Sequence, residues 1–430
     1  MADVRPPRPG DSGHIHDVTT TERFDMALSD NGFSAIELGR VVRKRSATVI
    51  ATAAIAAFGV LGAQGAAAET IKVANTSDSG NGSLRQAINL ANHLPGSGLN
   101  RIVIEATGTI QLQSVLPVLS TAMTIQGPGA GHLSVDGSAV SQSPILRNDL
   151  KATLTGLSIV NGPTAIENNG VLSVARTRVS DNDGGIDSDG ALSVADSRMV
   201  GNRDYGIQNY NARADVRRST LRDNGTGILN IYEQANLGVA QSTLSTNGTG
   251  ILNVLGTALI HRSTLSGNQV TAVENGLCFD GCVDGRVTVT QSTLSGNASA
   301  AVVIASTDPA TTILRSTIVA SSPSWGGCWD PDGGPASVVS AGFNLADDGS
   351  CNLTAPSDQP DTKPLLRPLA NYGGPTETLA LKAASPAIDA GMAGAVTTDQ
   401  RGLPRIVDFP GVPTAVGDNS DVGAFELQSP

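Results

Sequence analysis

Apolar residues return along the middle of this chain at a nearly fixed interval. One column runs Ile159, Val179, Met199, Leu221, Leu244, Leu265, Leu294 and Ile318, in steps of 20, 20, 22, 23, 21, 29 and 24 residues. Five residues upstream of each stands a second apolar or β-branched side chain: Leu154, Val174, Val194, Val216, Val239, Ile260, Val289 and Ile313. A third column reads Ile166, Ile186, Ile207, Ile228, Ile251, Val273 and Val302, usually after Gly or Ala. Polar positions keep the same beat. Asn182, Asn202, Asn224, Asn247, Asn268 and Asn297 end the first strand of each unit. Asn168, Asn209, Asn230, Asn253 and Asn275 come two residues after the third column, interrupted by Ser188 and Ile304.

A unit of just over twenty residues holds two or three short strands and tight turns. Alone it leaves strand edges unpaired and an apolar face unburied, so it must stack on its neighbours. Stacking pairs each backbone edge with the coil above, about 4.8 Å away, and aligns like side chains into ladders. The Asn ladders can bond both the turn backbone and each other, and Asn tolerates the left-handed φ that such bends require. A leucine-rich horseshoe needs an L-x-x-L-x-L consensus that is missing here, and a propeller blade needs about twice the period. The pattern therefore predicts an all-β chain, a right-handed parallel β-helix of eight coils from about Ala152 to Ala320, forming a rod of roughly 35–40 Å.

The ends break the pattern. Ser83-Leu84-Arg85-Gln86 fits a capping box, and Leu84, Ala87, Ile88 and Ala91 form an apolar stripe, predicting a helix over Leu84 to Ala91. Alternating runs at Arg101–Ile104 and Met123–Ile125 read as the first irregular coils under that lid. Residues 1–68 read as a polar extension plus export signal, 69–151 as the N-terminal cap, 152–322 as regular coils, and 323–430 as a loop-rich C-terminal cap domain.

The stretch IKVANTSDSGNGSLRQAINLAN resembles the CSLREA segment of bacterial exported β-helix proteins, although Gly82 stands where the Cys would be and Gln86-Ala87 replaces Glu-Ala. The stretches GFNLADDGSCNL, KPLLRPLANYGGPTETLALKAASPAIDAG and TTDQRGLPRIVD…DVGAFE resemble the choice-of-anchor Q domain. These resemblances cover about a third of the chain after the signal. They imply a surface or extracellular role and bring no catalytic residues with them.

An export signal is also read from the residues themselves. Arg43-Lys44-Arg45 is a positive n-region, Ala47 to Leu61 an apolar stretch of small residues, and Ala66-Ala67-Ala68 a cleavage pattern, placing the cut between Ala68 and Glu69. A membrane-anchoring helix is the alternative; the short Ala/Gly-rich stretch favours cleavage. The expectation is a secreted or cell-surface monomer with no membrane span once the signal is removed. A net charge of −11 and a pI of 4.9 exclude a broad basic footprint for nucleic acid or anionic membrane. The first 68 residues are charge-balanced, so the acidic excess lies wholly on the chain from Glu69 onward.

Four cysteines after the cleavage point suit an oxidising compartment. They allow three pairings. Nearest neighbours, Cys278 with Cys282 and Cys328 with Cys351, close short local loops; metal binding at Cys278-x3-Cys282 is the other reading, with no further ligands to complete it. The first pair lies in the 29-residue step between Leu265 and Leu294, an inserted loop on an otherwise uniform stack.

Candidate chemistry gathers in the second to fourth coils. Asp183 and Asp204 both stand three residues before the Ile column and should stack on neighbouring coils; Asp187 and Asp189 come just after Ile186. Tyr205, Tyr210 and Tyr232, three of the four tyrosines, share these coils with Arg203 and Arg213. Carboxylates and aromatic rings could make a hydrolase or lyase site on an acidic glycan. Equally, Asp and Asn are what solvated turns demand, and no Gly-His-Gly or paired-Asp signature is present. A Ca²⁺ site at Asp187-Ser188-Asp189 has no EF-hand pattern behind it. His261, the one histidine of the repeat region, reads as a turn or surface residue. Asp399, Arg401, Arg405, Asp408 and Asp421 read as an ion-pair network within the C-terminal domain. No cofactor is expected. The reading preferred is a non-enzymatic, adhesin-like or envelope-associated module meeting cell-surface or matrix polysaccharide or protein; the alternative is a polysaccharide lyase or glycoside hydrolase acting on a uronate-containing glycan.

Overall fold

The computed structural model describes residues 70–94, 99–141, 144–278, 282–283, 285–305, 311–320, 322–330, 338–412 and 417–428. The export signal, with Ala68 and Glu69, lies outside them. Among the described residues no helix is long and apolar enough to cross a membrane.

Each regular coil carries three strands, one for each of three stacked sheets. Among the described residues the first sheet has twelve strands, from Thr70–Val73 to Val338–Ser340, and the second eleven, from Gly108–Gln111 to Leu345–Ala346. The third has ten, with Leu146–Asn148 and Cys328–Trp329 at its two ends; Cys282–Val283 joins it antiparallel to Thr271–Cys278. The other strand pairs of these three sheets are parallel and in register: Val174 lies between Leu154 and Val194, Val179 between Ile159 and Met199, Ile207 between Ile186 and Ile228. The three apolar columns meet in one dry core.

The corners explain the polar columns. Between the first and second sheets each coil turns on one left-handed residue, among them Arg176, Asp196, Arg218, Gln241 and Arg262, with φ of 48°, 51°, 47°, 52° and 48°. Such a conformation costs a non-glycine residue about 1–2 kcal/mol, and the next side chain compensates it. Ser219 Oγ, for example, donates to the carbonyl of Arg217 at 2.9 Å and accepts the Ser197 N–H of the preceding coil at 3.2 Å, bridging Arg218. This hydroxyl ladder is the Ser of the repeated S-T-L. At the second corner the left-handed residue is Asp181, Gly201, Asp223 or Thr246, not the Asn that comes next. The Asn instead turns inward: Asn202 Nδ2 donates to Asn224 Oδ1 at 2.9 Å and Asn224 Nδ2 to Asn247 Oδ1 at 2.9 Å, all three buried.

One register expectation fails. In the last regular coil Val289 pairs with Leu314 and Leu294 with Val319, so Leu314 and Val319 continue the core columns. Ile313 faces outward and Ile318 packs in a separate cluster with the C-terminal segment. The spacing of five is kept, but the coil enters one residue later, and a one-residue slip exchanges the faces.

Both ends are closed. Helix Leu84–His93 starts at Ser83, whose hydroxyl accepts the Gln86 N–H, and it lays Leu84, Ala87, Ile88 and Ala91 on the first coil. At the other end Cys328 continues the third column below Val302 and is joined to Cys351 by a disulfide. Cys351 and Leu353 are core members, so the bridge covers the last rung. The side chains of Cys278 and Cys282 lie outside the described ones; their backbones pair directly.

The C-terminal segment also runs back along the flank of the stack. Gln400 bonds Thr243 and Thr264 on successive coils at 3.1 and 2.6 Å, Arg262 donates to Thr398 at 2.7 Å, and the Ala424 N–H donates to Thr293 Oγ1 at 3.0 Å. The outward Thr column of the second sheet is thereby buried where the segment covers it.

Candidate functional site

The third-sheet strand and the turn before it carry the sequence-predicted residues. Asp183 and Asp204 do stack: the Asp204 N–H donates to the Asp183 carbonyl at 2.7 Å on the neighbouring coil. Their carboxylates share a counter-ion. Arg203 Nε lies 3.1 Å from Asp204 and 3.6 Å from Asp183, with side-chain exposures of 72% for the arginine and 31% and 51% for the two acids. Arg213 lies away from this turn, on the first sheet, and pairs with Asp215 at 2.7 Å.

Asp187 points outward from the third sheet, where strand alternation lines up Arg147, Glu167, Asp187, Gln208, Leu229, Leu252, Glu274, Val303 and Trp329. Ser188 points the other way, accepting from Asn168 and donating to the Gly190 carbonyl inside the corner. Ser188 thus faces away from the outward Asp187. Among the described residues no three His, Cys, Asp or Glu side chains come together in a way that could hold a metal.

Tyr205 and Tyr210 are buried, and Tyr232 is partly so. Tyr205 lies across Gly184 of the preceding coil, where a Cβ would come within 2.6 Å of its hydroxyl. Its phenol reaches Thr164 beyond, and burial, helped by the charge of Asp187, pushes it well above the ordinary tyrosine range. Tyr210 takes a hydrogen bond from Gln208 and leans on Tyr232 with centroids 5.9 Å apart. Both edge a second apolar cluster of Leu229, Ile231, Leu252 and Val254, on the face turned away from the core. Of the three rings expected to form a sugar platform, Tyr210 and Tyr232 belong to this outer packing.

Two features of this face are not foreseen from the sequence. Glu274 sits between Leu252 and Val303 in the outward column, only 6% exposed, and its carboxylate has no hydrogen-bond or ion-pair partner among the described residues. Burial pushes its pKa up to about 7. Trp325 and Trp329 stack at 4.2 Å against Ala300 and Val303 at the far end. A signal for Glu274 was present: it stands directly after Val273 of the third column, where Leu229 and Leu252 stand in the coils before.

His261 is half-buried on the first sheet with Nδ1 2.8 Å from Thr290 Oγ1; burial and the nearby Arg262 and Arg405 lower its pKa to about 4, leaving a neutral ring. In the C-terminal segment Arg401 pairs with Asp399 at 2.8 Å, both buried, and lies over the Phe425 ring at 3.7 Å. Arg405, fully buried, donates to the carbonyls of Asp421 and Gly423 at 2.8 Å rather than to a carboxylate. Glu426, unforeseen, accepts the N–H groups of Val407 and Asp421 at 3.1 and 2.9 Å. Burial raises both the Asp421 and Glu426 pKa values, and the charge of Asp421 adds to the second. Asp408 stands outside this network and acts on Asp389 only through its charge. These groups hold loops together.

The family model described as the right handed beta helix region matches residues 155–318. The fold is a right-handed parallel β-helix. No curated protein matches this β-helix protein. Among solved structures it is similar to that titled "Crystal structure of pectate lyase Pel9A", with 14% sequence identity and a TM-score of 0.46 over 84% of this chain and 97% of that one.

Proposed function

We propose that this β-helix protein is an exported, non-enzymatic module, adhesin-like or envelope-associated, that meets its partner through the side of the rod. The observation that carries the reading is Arg203 between Asp183 and Asp204. A hydrolase needs two carboxylates flanking the scissile bond, one of them held protonated. A lyase needs carboxylates free to take a cation and a separate base. A guanidinium lying against both acids occupies the space that substrate or cation would need. Export rests on Arg43-Lys44-Arg45 and the apolar stretch after it.

One observation favours the enzymatic alternative. Glu274, with a pKa near neutrality in an apolar surround, has the character of a general acid. The deciding experiment incubates the protein with pectin, alginate and glycosaminoglycans, with and without Ca²⁺. It monitors ultraviolet-absorbing unsaturated ends and new reducing ends. Neither should accumulate above the buffer control. A product that disappears in Asp183→Ala with Asp204→Ala, or in Glu274→Gln, would replace the binding reading with a lyase or hydrolase.

A further inference from the structure

The outer face of the second sheet changes character along the rod. Where the C-terminal segment covers it, the outward column reads Thr243, Thr264 and Thr293, all buried. Toward the N-terminus the same column is open and reads Arg178 and Arg198, in direct register on adjacent coils and both exposed. Arg222 stands in the other outward column of this sheet, and Arg217 ends the adjoining first-sheet strand; both are exposed.

Their counter-ions are incomplete. Arg178 lies 3.9 Å from Asp181 and Arg222 lies 3.6 Å from Asp223. Arg198 and Arg217 have no carboxylate within ion-pair distance and no side-chain hydrogen bond among the described residues. Like charges one rung apart, about 4.8 Å, repel each other. Exposed as they are, these side chains add nothing to the core that would offset the repulsion. Threonine or serine serves the same column elsewhere in the stack, so the fold has no need of arginine there.

We propose that this arginine strip binds a linear carboxylated polysaccharide laid along the rod. The planar guanidinium pairs two-pronged with carboxylates, and a stack of coils repeats its charges along one line, as a polyuronate chain does. No aromatic side chain belongs to the strip, which removes the base stacking that single-stranded nucleic acid relies on. The inference deepens the binding reading above by naming a partner chemistry and the surface that takes it.

The test is affinity electrophoresis of the whole chain through gels containing polygalacturonate or alginate, with neutral dextran as control and single-stranded DNA in a parallel titration. Polyuronate should retard the protein, salt should weaken the effect, and Arg198→Gln with Arg217→Gln should raise the dissociation constant about tenfold. Arg213→Gln, exposed at the far end of the strand that ends in Arg217 and already paired with Asp215, should bind as the parent does, and thermal melts should show all three proteins folded alike. Absence of retardation at low salt, unchanged retardation of the double variant, or equally tight binding of DNA would each overturn the proposal. Release of a product in the lyase assay would overturn the non-enzymatic reading and leave this one standing, because the strip shares no residue with the third sheet.

Discussion

Asn224 holds Asn202 through two bonds: its Oδ1 accepts both the Nδ2 and the backbone N–H of Asn202, at 2.9 and 3.1 Å. Its own Nδ2 donates to Asn247 Oδ1 at 2.9 Å and to the Met199 carbonyl at 3.1 Å. Every polar atom of the amide is thus matched inside the core. Asn224→Ala leaves donors and acceptors on two neighbouring coils unmatched, each costing about 1–3 kcal/mol. Urea denaturation should show a loss of roughly 3 kcal/mol. Hydrogen exchange should rise first in strands Arg198–Val200 and Thr220–Arg222, since coils of a solenoid couple mainly to their neighbours. A cost below about 1 kcal/mol would mean that water enters and replaces the amide.

Glu274 makes stability depend on pH in a defined sense. Its folded pKa, near 7, lies above the unfolded value of about 4.3. Its contribution is therefore fully present below pH about 4 and is lost as pH rises through 7, a change on the order of 3 kcal/mol. Asp421 and Glu426 act with the same sign, so the informative quantity is the difference between parent and Glu274→Gln. The variant should lose part of the decline between pH 5 and 8 in urea midpoints, and parallel profiles would refute the assignment.

Thr264 marks the seam between stack and C-terminal segment, bonded to Gln400 at 2.6 Å and to Thr378 at 2.9 Å. Thr264→Arg places in that dry seam the side chain that the open part of the column tolerates. The expected result is a C-terminal segment cut by trypsin under native conditions while the β-sheet circular dichroism of the stack persists. Uniform resistance to trypsin would mean that the segment does not depend on this seam.

The Cys328–Cys351 bridge closes a loop of 23 residues over the last rung. In the chain-entropy account, removing it through Cys328→Ser with Cys351→Ser costs about 3 kcal/mol. The loss should be read as a lower urea midpoint, with the N-terminal coils keeping their exchange protection. Equal loosening at both ends would show one cooperative unit instead of neighbour-coupled coils.

Much of the site's surroundings could be read before any coordinates. Leu154, Val174 and Val194 announce a shared face because identical spacing in a stacked chain means identical environment, and the stripe Leu84, Ala87, Ile88, Ala91 announces the helix lid. The slip at Leu314 and Val319 could not be read, since Ile313-Leu314 and Ile318-Val319 offer two equally apolar registers and only pairing with Val289 and Leu294 chooses between them. Tyr205 misled for a similar reason: a tyrosine beside Asp204 looks displayed until Gly184, a coil away, gives its ring a bed.

The sequence by itself determined the coil, the ladders and the position of the inward columns, because these arise from a short period and from contacts between neighbouring repeats. Only the tertiary structure decided the rest. It placed Arg203 between Asp183 and Asp204, buried Glu274, and brought Gln400 against Thr243 and Thr264, over a hundred residues away in the chain. Such contacts depend on which outward face meets which returning segment, and no periodicity encodes that choice. The same choice leaves Arg178 and Arg198 exposed on the open part of the second sheet.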